Sequence, residues 1–249
     1  MRSHRLFLPL LLLTSAHAEP VTVAVASNFL TPVAELVAAF EGSTGERVRV
    51  SSASTGVLYA AIRNGAGYAA FLAADSERPR LLEAAGLGVP GTRFTYAIGT
   101  LELWSADPRL ANRDCRAVLD DLGNRRLAIA NPATAPYGAA AQAFLQRAGL
   151  WEAVEDNLVF GQNIAQTLQF VVTRNASLGL IAAAQAQSGR LPEPTCRWPV
   201  PTAMHPPIEQ QAILLQSAAD NDAAIAFLDF VAGPEGRAII RAQGYEVQD

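Results

Sequence analysis

Four times in this chain a short apolar run gives way to small polar residues and then to a helix-spaced apolar face. That recurrence restricts the available folds more than any single residue does. The first run, Val21–Ala26, is rich in Val and Ala and almost uninterrupted, which suits a strand buried on both faces of a parallel sheet. Ser27 and Asn28 follow, and Leu30, Val33, Leu36, Val37 and Phe40 then recur at helical spacing. Ser and Asn are preferred at helix N-caps, so a helix is predicted to begin at or just after them. The first turn of a helix has free backbone N–H groups and the positive end of the dipole, and both favour an anion. One such turn is ordinarily no more than a cap, so the weight rests on its repetition.

The second copy is a strand over 47–51, the hydroxyl-rich Ser52-Ala53-Ser54-Thr55-Gly56, and a short helical face of Val57, Leu58, Ala61 and Ile62. The third is a strand over 127–130, then Asn131-Pro132 and Ala135-Pro136-Tyr137-Gly138, opening a helix over 139–148. Proline just inside a helix start loses only an N–H that had no partner. The fourth is a strand over 158–160, Gly161-Gln162-Asn163-Ile164-Ala165, and a helix over 165–173. Between and around these copies, strands are predicted at 68–74, 178–183 and 211–215, and helices at 75–85, 184–188, 223–232 and 234–243. A short helix is expected within 109–124. Alternating strands and helices predict an α/β fold. Asp75 opens its helix and is read as an N-cap. The stretch 94–105 is long for one strand and carries Gly99 in its middle, so it is expected to run from one lobe into another. The proline-rich 191–207 is expected to be an irregular loop.

Met1–Arg5 is basic, 6–13 is apolar, and Ala16-His17-Ala18 matches an A-x-A cleavage site, which together predict a signal peptide over 1–18. The apolar run is too short for a permanent membrane span. The leader contains Arg2 and Arg5 and no acid, so its removal lowers the net charge of −4 by two units. An acidic chain of this kind excludes a nucleic-acid binder with a basic face. The chain contains no lysine, which excludes a Walker A lysine and Schiff-base chemistry. After the leader, His205 is the single histidine, so zinc clusters and Ser-His-Asp schemes have one candidate base. Lying before Pro206-Pro207, His205 is read as a solvated loop residue. Cys115 and Cys196 are the only cysteines, and an even count in an exported chain favours a disulfide between them.

Ligands of open α/β sheets bind at the carboxyl ends of the strands, where the four turns lie. None of the turns contains Arg, Asp or Glu. A dianion held by neutral donors and helix ends needs no counter-ion. With no carboxylate to accept a proton, such a site suits fully deprotonated sulfate, molybdate or tungstate better than hydrogen phosphate.

Ala26-Ser27-Asn28-Phe29, Ser54-Thr55-Gly56, Asn64-Gly65-Ala66, Phe71-Leu72-Ala73-Ala74-Asp75, Phe94-Thr95-Tyr96-Ala97-Ile98-Gly99, Asn131-Pro132, Ala135-Pro136-Tyr137-Gly138 and Leu178-Gly179 together resemble the periplasmic molybdate-binding proteins of ABC transporters. The resemblance runs in order along the whole chain after the leader. It implies a type II periplasmic-binding-protein fold of two α/β lobes with a ligand cleft between them, lobe I being 19–98 with 217–249 and lobe II 99–216. It further implies a monomeric periplasmic receptor for molybdate or tungstate that serves an ABC permease in the inner membrane. By position, Ser27 and Asn28 supply the first contact, Ser54 or Thr55 the second, and Tyr137 and Ile164 donate backbone N–H groups. Some relatives carry a tyrosine ligand where this chain has Ala183, and either Asn163 or Asn28 is expected to compensate. The rival expectations are a sulfate receptor and an exported enzyme on the same fold with Asp75 or His205 as base.

Overall fold

The structure, a computed structural model, describes residues 19–187 and 191–248. The expected signal peptide lies outside those residues. The chain opens with β1 (Val21–Ala26), α1 (Leu30–Thr44), β2 (Val48–Ala53), α2 (Thr55–Arg63), β3 (Ala70–Leu72), α3 (Glu77–Ala84) and β4 (Phe94–Gly99). It continues with β5 (Leu101–Ser105), α4 (Cys115–Asp120), β6 (Leu127–Ala130), α5 (Pro136–Arg147), α6 (Trp151–Val154) and β7 (Leu158–Gly161). Then come α7 (Ile164–Val172), β8 (Leu178–Ala182), α8 (Ala183–Ala186), β9 (Cys196–Pro199), β10 (Ile208–Leu214), α9 (Asp222–Ala232) and α10 (Pro234–Ala242).

These strands form two mixed five-stranded sheets, ordered β2-β1-β3-β10-β4 and β7-β6-β8-β5-β9. Parallel pairing of β1 with β2 and β3, and of β6 with β7 and β8, buries both faces of the central strands. This is why Val21–Ala26 and Leu127–Ala130 read as apolar without alternation. Lobe I packs Val23, Val25, Phe29, Leu36, Phe40 and Phe227 into one core, and lobe II packs Leu103, Leu127, Ile129, Phe144 and Leu180 into another.

The long stretch 94–105 is two strands, one in each sheet, with Thr100 alone between them. Gly99 is needed there because a β-carbon would overlap the Tyr137 hydroxyl. The return crossover falls earlier than expected. A boundary at 216/217 assigns β10 to lobe II, but β10 pairs antiparallel with β3 and β4 in the first sheet. Its apolar run reads the same in either lobe, and only long-range pairing assigns it. The chain therefore returns within 200–207.

A second correction concerns 191–207, which contains β9, an edge strand paired with β5. Proline is tolerated at such an edge, and Pro199 closes the strand. Cys196 at the start of β9 is bridged to Cys115 at the start of α4, with 5.4 Å between Cα atoms. The bridge lies within lobe II. Among the described residues no helix is long and apolar enough to cross a membrane.

Candidate functional site

The four expected turns converge. A small cavity of about 10 Å3 between the lobes is lined from lobe I by Ala26, Ser27, Asn28, Ser54, Thr55 and Ala74, and from lobe II by Ala135, Pro136, Tyr137 and Ile164. Ser27, Asn28, Ser54, Thr55, Tyr137 and Ile164 are all buried. No lining residue is charged.

Each lining group is set by the end of a strand. β1 runs into a single 3-10 turn at Ser27–Phe29, β2 into α2, β6 into α5 and β7 into α7. At the 3-10 turn, α2 and α5 no side chain caps the helix start. The first-turn N–H groups there lack the usual side-chain acceptor, which is the arrangement that favours an anion. Ser54 stands at the N-cap of α2, yet its hydroxyl caps nothing. It is buried with no hydrogen-bond partner. Buried polar atoms in native structures are normally paired, so an orphan facing a cavity marks a place for a ligand acceptor. Thr55 Oγ1 accepts from the Ala74 N–H at 3.0 Å, which fixes the oxygen and leaves its own proton to donate.

Asn163 departs from expectation. Its side-chain oxygen accepts from the Gln166 N–H at 3.0 Å as the N-cap of α7, and it does not line the cavity. Asn28, the other candidate to compensate for Ala183, does line it. Both hydrogens of the Asn28 amide are engaged, however, by Gln210 Oε1 at 2.7 Å and by the Tyr245 hydroxyl at 3.1 Å. The side chain is therefore a strut, and any contact with an anion falls to the backbone N–H of Asn28. Ala183 is buried, donates its N–H to the Thr100 carbonyl at 2.9 Å and lies off the cavity wall.

The two candidate bases lie elsewhere. Asp75 stands one residue before Ser76, the N-cap of α3, accepts from the Arg78 N–H at 2.9 Å and pairs with the Arg78 guanidinium, so it anchors the first turn of α3. His205 is buried rather than solvated, with Nδ1 2.8 Å from the Pro206 carbonyl oxygen.

Behind the cavity is a layer that the sequence did not indicate. Gln210 Oε1 accepts from Asn28 and from the Tyr96 hydroxyl at 3.2 Å, and Gln210 Nε2 is 3.4 Å from the Tyr137 hydroxyl. Tyr96, Tyr137 and Tyr245 are buried there, and burial pushes all three phenols well above their ordinary pKa. They remain protonated donors. The one sequence signal was Gln210-Gln211 directly before the apolar Ala212–Leu214 in one strand, since two such amides in a core need partners.

A cleft between two α/β lobes, walled by neutral donors at helix starts, defines a solute-binding receptor for a small anion. A family profile described as bacterial extracellular solute-binding protein matches residues 21–246, and the chain belongs to that family. It is 46% identical to the molybdate-binding protein ModA of Azotobacter vinelandii, over 96% of this chain and 94% of that protein. It is 42% identical to the molybdate-binding protein ModA of Rhodobacter capsulatus, over 92% and 89% respectively. Among solved structures, the A. vinelandii periplasmic molybdate-binding protein superposes with a TM-score of 0.86 at 38% identity, covering 92% of this chain and all of that one.

Proposed function

We propose that this protein captures molybdate, and tungstate comparably, in the cavity between its lobes and delivers it to an ABC permease. The observation that carries the reading is the charge-free cavity with three uncapped helix starts and the unpartnered Ser54 hydroxyl. The names of the two curated relatives support the choice of anion. Ser27, Ser54 and Thr55 donate hydroxyls to the oxyanion, and Asn28, Tyr137 and Ile164 donate backbone N–H groups. A fully deprotonated tetrahedral dianion can accept from all of them. Hydrogen phosphate brings a proton for which this wall has no carboxylate acceptor. Export to the periplasm accords with the family and with the expected leader over 1–18.

Calorimetric titration with molybdate, tungstate, sulfate and phosphate tests the proposal. Molybdate and tungstate are expected to bind with similar affinity, sulfate more weakly because its smaller oxyanion leaves some donors out of reach, and phosphate weakest. Tight sulfate binding without molybdate binding would replace the reading with a sulfate receptor.

A further inference from the structure

After α10 the chain returns to the place where it first leaves lobe I. The Ile98 N–H donates to the Glu246 carbonyl at 2.8 Å, and the Glu246 N–H to the Ile98 carbonyl at 3.3 Å. Ile98 is one residue before Gly99, at the crossover, so the C-terminal segment is fastened to the hinge. The same segment also meets lobe II, because a β-carbon at Gly244 would sit 2.6 Å from Gln187 Oε1.

Tyr245 lies between these two contacts and is buried. Its hydroxyl donates to the Asn28 backbone carbonyl at 2.9 Å and accepts from Asn28 Nδ2 at 3.1 Å. The same Asn28 amide donates to Gln210 Oε1 at 2.7 Å, and Gln210 Nε2 lies 3.4 Å from the Tyr137 hydroxyl of the other lobe. A phenol has one proton, and here that proton is committed to the Asn28 carbonyl. Its ring packs edge-on against Phe29, with centroids 5.4 Å apart. One hydroxyl thus grips the turn carrying Ser27 and Asn28, and the Asn28 amide carries the contact on through Gln210 to Tyr137 of the other lobe.

We propose that Tyr245 is a positioning residue of the anion site. It touches no anion itself. It holds the Ser27–Phe29 turn from behind, and through Asn28, Gln210 and Tyr137 it ties that turn to the start of α5, so the two walls are presented in register. The C-terminal segment is then a third connection at the hinge beside the two crossovers, and it couples the site to lobe closure. This inference rests on the molybdate reading for its ligand and on the geometry alone for the coupling.

The test is Tyr245→Phe, which keeps the ring against Phe29 and removes only the hydroxyl. Molybdate affinity is expected to fall about tenfold, the loss of roughly one hydrogen bond's worth of positioning, mostly as faster dissociation. Tyr137→Phe and the double variant complete a cycle, in which the double is expected to lose no more affinity than the worse single. Tyr68→Phe is the control. Its hydroxyl pairs with Ser51 Oγ at 3.0 Å away from the cavity, and its loss is expected to leave affinity unchanged. Tyr245→Phe with wild-type affinity and dissociation rate, or additive losses in the cycle, would overturn the proposal. If the wild type binds another of the four anions, the cycle is read with that anion. Melting temperatures of the four ligand-free proteins measure the Tyr137–Tyr245 coupling even if none binds, and additivity there would equally overturn it.

Discussion

The backbone N–H of Gly56 donates to the carbonyl of Thr134 at 2.8 Å, joining the first turn of α2 in lobe I to the loop before α5 in lobe II. This contact bridges the cleft beside the cavity. A β-carbon at Gly56 would lie 2.9 Å from that carbonyl oxygen and 3.0 Å from Thr134 Cα, both of them backbone atoms. Gly56→Ala is therefore expected to hold the lobes apart. The anion then loses donors from one wall, and affinity should drop by about tenfold or more. Calorimetry combined with small-angle scattering checks this. An alanine variant that binds and compacts like the wild type would show that the contact does not limit closure.

Ser54 gives a different signature. Its hydroxyl is buried and unpaired, and such a group costs stability in the free protein, about 1 kcal/mol or more. Ser54→Ala should leave the free protein as stable as before or more so, while weakening molybdate by about tenfold or more. Thr55→Ala also strands the Ala74 N–H, so it should lose both affinity and stability. Ser27→Ala should lose affinity by a similar factor. Melting temperatures measured with and without molybdate separate the three variants. Equal affinity in all of them would dismantle the pocket.

Reduction of the Cys115–Cys196 bridge should cost about 2–4 kcal/mol of stability, because it frees a long loop in the unfolded chain. Neither α4 nor β9 lines the cavity, so anion affinity should persist wherever the reduced protein remains folded. Denaturant titration with and without reductant measures the first, and calorimetry on the reduced protein the second. Alkylation of two thiols in the native, unreduced protein would contradict the bridge.

Asp107 sets an acid limit. Its hydrogen bonds with the Arg109 guanidinium hold its carboxyl below the ordinary value, at about 2. A carboxylate with a folded pKa below its unfolded one adds stability that is complete above the unfolded value. That stability is lost as the pH falls from about 4 to about 2. Arg109 is largely exposed, so solvent screening reduces the contribution to about 1 kcal/mol. Asp107→Asn should therefore lower stability at neutral pH by about that amount and flatten its decline between pH 4 and pH 2. An unchanged acid profile would refute the assignment.

The parts of the site legible in the sequence are those written locally. Ser27, Ser54, Thr55, Tyr137 and Ile164 each sit where a strand hands over to a helix, and such a handover is visible within ten residues. Gly99 marked a crossover for the same reason. Asn163 showed the ambiguity of these signals, because an asparagine opening a helix can face the ligand or cap its own turn, and here it caps. The pairing of Gln210 and Tyr245 with Asn28 was out of reach. The two residues lie 182 and 217 positions from Asn28, and no periodicity relates residues that far apart. The placement of β10 and the burial of His205 were hidden for the same reason.

The position of β10 also governs how the molecule is assembled. It lies between β3 and β4, so β4 has no neighbour in its sheet until Ile208–Leu214 arrives. The second sheet is built entirely from Leu101–Pro199 and can be completed while the last fifth of the chain is still missing. Lobe I has the opposite requirement, since strands made at the beginning wait for one made near the end, a long-range closure of the kind that slows folding. A chain threaded outward from its amino terminus would thus carry an unfinished first lobe almost until its release. That order places completion of the cavity between the lobes among the last events of folding.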